Sequence, residues 1–180
     1  GFHTDHSNDI MPPKATVLLA IRLPNKGGDT QFVNMHAAYE GLASETKKRL
    51  SDLRAIHVYQ STHSQRKLMD LSKDNHRVVP KSAVHPLVRV HPETGKKSLY
   101  INPIRIQSII GMSEHEGIEL LNDLLEHATQ KKFQYRHQWQ LNDMVLWDNR
   151  CLLHKANGDY DRAQERFLYR VMLQGDKQGH

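Results

Sequence analysis

The chain has little sulfur to cross-link. Cys151 is the one cysteine in 180 residues, which excludes an internal disulfide framework. A reducing cytoplasm is the expected compartment. No apolar run approaches the roughly 20 residues that a membrane-spanning helix needs, so a membrane is not an expected partner. The basic residues are scattered, apart from pairs such as Lys47-Lys48 and Lys131-Lys132, and no Lys/Arg block is interleaved with aromatics. Nucleic acid is therefore not an expected partner either, despite a net charge of +5 and a pI near 9.3. A small acidic substrate suits this modest positive excess better. Internal repeats and low-complexity stretches are absent. An initial Met is missing too, and Gly1-Phe2-His3-Thr4-Asp5 does not resemble a secretory signal, as expected of a sequence that begins partway through a longer protein.

What remains is the composition of a globular domain, 38% hydrophobic and 25% charged, in a length that suits one domain with a real core. Residues 15–23 form a short apolar run that stops at Pro24-Asn25-Lys26-Gly27-Gly28, which reads as a buried strand and a turn. Residues 30–34 read as another strand. Residues 36–53 read as a helix in two pieces, with Ser44 capping the second and Leu50 and Leu53 on its inner face. Residues 54–82 are polar and uneven and are expected to form a long excursion. Strand-like segments at 85–91 and 97–102 flank Pro92-Glu93-Thr94-Gly95 and predict a hairpin. Ser113-Glu114-His115-Glu116 is a capping-box pattern, opening a helix to about His127 with Ile118, Leu121, Leu124 and Leu125 at helical spacing. Strands follow around 133–140, 144–149 and 166–174, with Asn142-Asp143 as the turn between the first two. Short strands with inserted helices suit a mainly β (α+β) double-stranded β-helix, or jelly-roll, core.

Two constellations carry chemistry. His3-Thr4-Asp5 places an imidazole and a carboxylate two residues apart, hence on one face of an extended segment, where both can reach one ion. A second histidine would complete a facial set of three ligands with open positions, the arrangement of non-haem iron(II) oxygenases. Alone, His-x-Asp also fits a polar turn. The second run is Trp147-Asp148-Asn149-Arg150, then His154, then Arg166 and Arg170. Among 13 histidines, His154 by itself reads as a surface or satisfied core residue rather than a ligand. Arg166 and Arg170 frame Phe167-Leu168-Tyr169 and share a strand face with Leu168. Two guanidinium groups facing into a barrel need anionic partners.

Together these motifs resemble the family of taurine dioxygenase and 2,4-dichlorophenoxyacetate dioxygenase. The likeness runs in order through Phe2-His3-Thr4-Asp5, Gly27-Gly28-Asp29-Thr30, Ala37-Ala38-Tyr39-Glu40 and Ser98-Leu99-Tyr100-Ile101-Asn102-Pro103. It continues through Glu126-His127-Ala128-Thr129, Trp147-Asp148-Asn149-Arg150 with His154, and the segment from Arg166 to Asp176. The resemblance implies that His3, Asp5 and His154 hold Fe(II). It implies that Thr30 and Arg166 bind the distal carboxylate of 2-oxoglutarate, and that Arg170 lies near the anionic group of the substrate. His6 is expected to point away from the metal on the opposite face. The implied activity couples oxidative decarboxylation of 2-oxoglutarate, to succinate and carbon dioxide, with hydroxylation of a small anionic substrate by dioxygen. An alkylsulfonate such as taurine and an aryloxyalkanoate carboxylate both fit. Ile104 and Arg105, after Pro103, fall where the family has a substrate-facing loop, and a homo-oligomer is implied as well.

One departure stands out. The family carries a substantial segment before the His-x-Asp motif, and this sequence lacks it, so an exposed sheet edge is expected. Three other readings remain open from the residues: a catalytically silent cupin-like protein that binds metal or small acids, a nucleic-acid-directed protein, and a zinc hydrolase on the same His/Asp/His set.

Overall fold

The computed structural model describes residues 1–64 and 82–175. Strand β1 (Ala15–Arg22) begins after Pro12-Pro13 and lies between β9 (Met144–Asp148) and β11 (Phe167–Leu173), giving an antiparallel sheet of order β11-β1-β9. Strand β2 (Thr30–Asn34) is likewise central, between β8 (Gln134–His137) and β10 (Leu152–Ala156). The two sheets meet through the Trp147 ring of β9, whose centroid is 5.3 Å from Phe32 on β2 and 4.7 Å from His154 on β10. Side chains alternate along a strand. Phe32 and His154, partners in the register, therefore face the first sheet, while their neighbours Val33 and Leu153 enter the main apolar core.

That core lies on the far side of the second sheet. Helix α1 (Met35–Glu40) follows β2 directly, its N-terminus capped by Asn34, whose side chain accepts from the Ala37 amide. Helix α3 (Glu114–Ala128) closes the layer. Its capping box is present as the sequence predicts, with Ser113 and Glu116 bonding each other's amides. The helix buries Gly117, Leu120, Leu124 and Ala128, a stripe rotated from the expected one; Leu121 and Leu125 pack at its margin. Each such leucine contributes about 1.5–3 kcal/mol of transfer free energy when fully buried.

A third sheet has the order β4-β3-β7, from β3 (Arg54–Val58), β4 (Ser82–Pro86) and β7 (Ile106–Ile109). The expected hairpin is the pair β5 (Val88–Val90) and β6 (Lys97–Leu99). The mainly β architecture with inserted helices and a jelly-roll core thus matches the reading of the sequence.

Several local readings need correction. Ser44 is the first residue of α2 (Ser44–Leu50), not its cap; Ala43 holds the cap position and offers no side-chain acceptor. The polar excursion starts later than expected, because β3 occupies residues 54–58 and buries His57 completely, a strand disguised by the histidine at an inward position of Arg-Ala-Ile-His-Val. The remainder of that excursion at 65–81 falls outside the described residues. The stretch 85–91 is split, since β4 pairs with β3 while β5 pairs with β6. Asn142, with φ of 70°, does make the turn after β8, but the turn carries the chain from one sheet to the other. Among the described residues β11 and β9 are sheet edges, and the outward side of this sheet exposes Met144, Leu146, Phe167, Tyr169 and Val171. None of the described helices is long and apolar enough to cross a membrane.

Candidate metal centre

Strand β10 uses one edge to pair with β2 and the other to receive His3. The His3 amide donates to the His154 carbonyl at 3.0 Å, and the His154 amide donates back to the His3 carbonyl at 2.8 Å. This bridge sets the two imidazoles side by side, with centroids 4.3 Å apart. The chain then turns. The Thr4 hydroxyl donates to the Asn149 carbonyl at 2.8 Å, Asn102 donates to the Thr4 carbonyl at 2.8 Å, and His6 takes a φ of 45°. The segment therefore does not stay extended, which corrects the premise on which His6 was placed opposite the ligands. The turn brings Asp5 inward, with Oδ1 3.7 Å from His154 Nε2 and 4.0 Å from a guanidinium nitrogen of Arg170. One candidate ligand atom from each of His3, Asp5 and His154 lies within 4.8 Å of the others.

The electrostatics prepare these groups for a cation. Burial alone would raise the Asp5 carboxyl, but His154, the Thr16 hydroxyl, His3 and Arg170 together hold it below the usual carboxylate range. Burial, aided by His3 and Arg170 and opposed by Asp5, pushes His154 down to about 3. At neutral pH the pair is an ionised carboxylate beside a neutral imidazole, the protonation states a metal requires of its ligands. His154 Nδ1 is buried without a hydrogen-bond partner among the described residues. Two histidines and one carboxylate on one side of an ion fit iron(II) with open positions.

The other expected site residues divide. Thr30 is almost wholly buried on β2, and its Oγ1 accepts from the Trp139 indole at 3.0 Å. Arg166 sits just before β11 and donates through Nε to the Gly28 carbonyl at 2.7 Å. Its Nη2 is buried with no partner among the described residues, and burial pulls its pKa down, the signature of a charge short of counter-charge. Gly28 allows this approach, because its φ is 73° and a β-carbon there would stand 3.0 Å from the Arg166 side chain. Arg136 locks the same turn by bonding Asp29 and Asp159, each at 2.6 Å, while Asp159 accepts the Gly28 amide at 3.0 Å. Arg170, two register steps along β11, leans toward Asp5 but keeps about half of its side chain in solvent at 53%. Arg170 therefore joins the ligand cluster and Arg166 joins the Gly28–Thr30 turn.

Sequence reasoning missed Trp139, which orients Thr30, and Thr16, which bonds Asp5. Neither carries a local signal, since each acts across a sheet. The expected substrate loop is also different. Ile104 is buried, and Arg105 donates to the Tyr59 carbonyl and lies over the Tyr59 ring at 4.7 Å. Ile104 does line a cleft of about 740 Å³ with Phe2, Ile101, Pro103 and Lys155, but none of His3, Asp5, His154, Thr30, Arg166 or Arg170 borders it.

With this geometry in view, the relationships to known proteins are direct. The family model for taurine catabolism dioxygenases (TauD, TfdA family) matches residues 1–172. The chain is 41% identical over 175 residues to the alpha-ketoglutarate-dependent 2,4-dichlorophenoxyacetate dioxygenase of Burkholderia sp. (strain RASC), covering 97% of this chain and 58% of the relative. It is 37% identical over 183 residues to the (S)-phenoxypropionate/alpha-ketoglutarate-dioxygenase of Sphingobium herbicidovorans, covering 98% and 62%. The crystal structure of AAD-2 in complex with Mn(II) and N-oxalylglycine superposes with a TM-score of 0.85 at 37% identity, covering 97% of this chain and 68% of that one. The chain thus spans about three-fifths of the length of the curated relatives it matches. It belongs to the TauD/TfdA family of dioxygenases.

Proposed function

We propose that the protein is an Fe(II)- and 2-oxoglutarate-dependent dioxygenase that hydroxylates a small anionic organic substrate. The observation that carries this reading is the pairing of the His3/Asp5/His154 cluster, in which Asp5 is ionised and His154 neutral, with a buried Arg166 nitrogen that has no partner among the described residues. A zinc hydrolase needs the first feature but has no use for the second. Bound iron(II) would supply the activation of dioxygen that couples decarboxylation of 2-oxoglutarate to succinate with hydroxylation.

The protein's own groups do the rest. His3, Asp5 and His154 hold the metal on one side. Arg166 presents its buried Nη2 to the distal carboxylate of 2-oxoglutarate, a charge-assisted contact. Thr30 adds a second donor. Its oxygen already accepts from Trp139, so its proton is available to the carboxylate. Arg170, half in solvent and close to Asp5, receives the anionic end of the substrate. An aryloxyalkanoate carboxylate is the first class to try, because the relatives named for phenoxy acids are 41% and 37% identical to this chain and those named for sulfonates 35% and 33%; alkylsulfonates are the second. Succinate formation with each class, measured with and without 2-oxoglutarate, tests the assignment. Succinate released with iron present and abolished without 2-oxoglutarate supports it; no succinate from iron-loaded protein with either class contradicts it.

A further inference from the structure

Three residues outside the ligand set form a chain of hydrogen bonds whose direction is forced at every step. The Trp147 indole can only donate, and it donates to Asn149 Oδ1 at 2.9 Å. That fixes the amide, so Asn149 Nδ2 points the other way and donates to Thr16 Oγ1 at 2.8 Å. The Thr16 hydroxyl has one proton, which goes to Asp5 Oδ2 at 2.8 Å. Trp147, Asn149, Thr16 and Asp5 are all buried, so water does not compete for these bonds. Bonds aligned in one sense polarise each other.

The fold builds this chain with few parts. Thr16 and Trp147 are register partners on β1 and β9, and Asn149 is the residue just past the end of β9. The Asn149 backbone is itself pinned, its amide to the Lys14 carbonyl at 2.9 Å and its carbonyl to the Thr4 hydroxyl at 2.8 Å. The Trp147 ring also packs on the His154 ring at 4.7 Å. One indole therefore touches one candidate ligand directly and reaches another through two intermediaries.

We propose that Trp147, Asn149 and Thr16 are positioning residues that hold Asp5 to coordination through Oδ1 alone. The proposal rests on the metal reading above. Oδ2 is committed to Thr16, whereas Oδ1 is the oxygen that faces His154 Nε2 at 3.7 Å. A carboxylate that swung round to offer both oxygens would leave the Thr16 hydroxyl buried without an acceptor. It would also take up one of the positions that a facial site keeps open for co-substrate and dioxygen. The relay thus protects the vacancy count of the site.

Replacing Thr16 with Val removes the donor at nearly constant shape, and replacing it with Ser keeps the hydroxyl. The readouts are the dissociation constant for Co(II) on iron-free protein, the visible Co(II) spectrum, which reports coordination number, and the melting temperature of the metal-free protein. Thr16→Val is expected to weaken Co(II) about 10–100-fold, the range typical of an outer-shell partner. It is also expected to change the Co(II) spectrum, with Thr16→Ser restoring both. Trp147→Phe keeps the ring against His154 but removes the first donor, and should shift both readouts in the same direction by less. It also serves as the test should Thr16→Val fail to fold. Wild-type Co(II) affinity and spectrum in Thr16→Val or, failing that variant, in Trp147→Phe would overturn the relay. Failure of the wild-type protein to bind Co(II) at all would instead remove the metal reading, and the relay with it.

Discussion

His3 and His154 are joined through their backbones by two reciprocal amide-to-carbonyl bonds of 3.0 and 2.8 Å. The imidazoles are carried along, their centroids 4.3 Å apart, with the Asp5 carboxylate beside them. Fold and metal binding are thereby separable at His3. His3→Ala should weaken Mn(II) by more than about a hundredfold, beyond the ~10–100-fold range of an outer-shell change. The stability of the metal-free protein should move by only about 1 kcal/mol. His154→Ala should lose metal as thoroughly but cost about 3 kcal/mol or more, because its ring is buried against Trp147. Calorimetric metal titration beside denaturant unfolding checks both; equal stability losses in the two variants would refute the separation.

Arg166 makes the opposite kind of prediction. A buried guanidinium nitrogen without a partner among the described residues is a cost in the ligand-free protein. Arg166→Met should leave the melting temperature of the metal-free protein unchanged or raised, although the bond to the Gly28 carbonyl is lost. The same variant should bind N-oxalylglycine at least about tenfold more weakly, corresponding to one charge-assisted hydrogen bond of about 1.5–3 kcal/mol. A large drop in melting temperature with unaltered N-oxalylglycine affinity would assign Arg166 a structural role instead.

Gly28→Ala tests the same contact from the other side. The left-handed backbone there costs an alanine about 1–2 kcal/mol, and the new methyl would sit 3.0 Å from Arg166 and 3.2 Å from Pro24. Weaker N-oxalylglycine binding is expected although no donor has been removed. A variant that is destabilised but binds normally would show that Arg166 is not held by this approach.

His57 predicts the acid behaviour of the third sheet. It is fully buried, with Nδ1 2.9 Å from the Ser7 hydroxyl oxygen and its ring packed against His85 and Tyr100. Burial, then the charges of His85 and Arg105, hold it down at about 3. The unfolded chain takes up this proton near pH 6.5 and the folded protein does not until about pH 3. Stability is therefore complete above about pH 6.5 and is lost as pH falls toward 3, by up to about 1.4 kcal/mol per pH unit from this one group. Unfolding free energies from pH 7 to pH 4 should show a shallower slope in His57→Gln than in the parent. Equal slopes would mean that His57 takes up its proton at the same pH in the folded and unfolded states.

Much of this was legible in the residues. The strand at 30–34 and the capping box at Ser113 are local chemistry, and both stand as the pattern dictates. The strand carrying His154 was not, because Leu152-Leu153-His154-Lys155-Ala156 is short and half polar and gains its identity only from β2 and His3 on either side. The same applies to β3, where a buried histidine breaks the apolar alternation. His3, Asp5, His154, Thr30, Arg166 and Arg170 could be named from a resemblance across separate motifs. Thr16 and Trp139 could not, because what makes them matter is a partner 11 or 109 residues away. The bend at His6 escaped as well, since nothing in His-Thr-Asp-His announces a positive φ.

The central claim is that metal and 2-oxoglutarate meet at His3, Asp5, His154 and Arg166, and the most direct test is optical. The iron(II)-loaded protein is titrated with 2-oxoglutarate without oxygen while the visible metal-to-ligand charge-transfer absorption is followed. A saturable band, shifted to higher co-substrate concentration in Arg166→Met and absent in His154→Ala, is the predicted result. No band from protein whose iron content has been verified would contradict it.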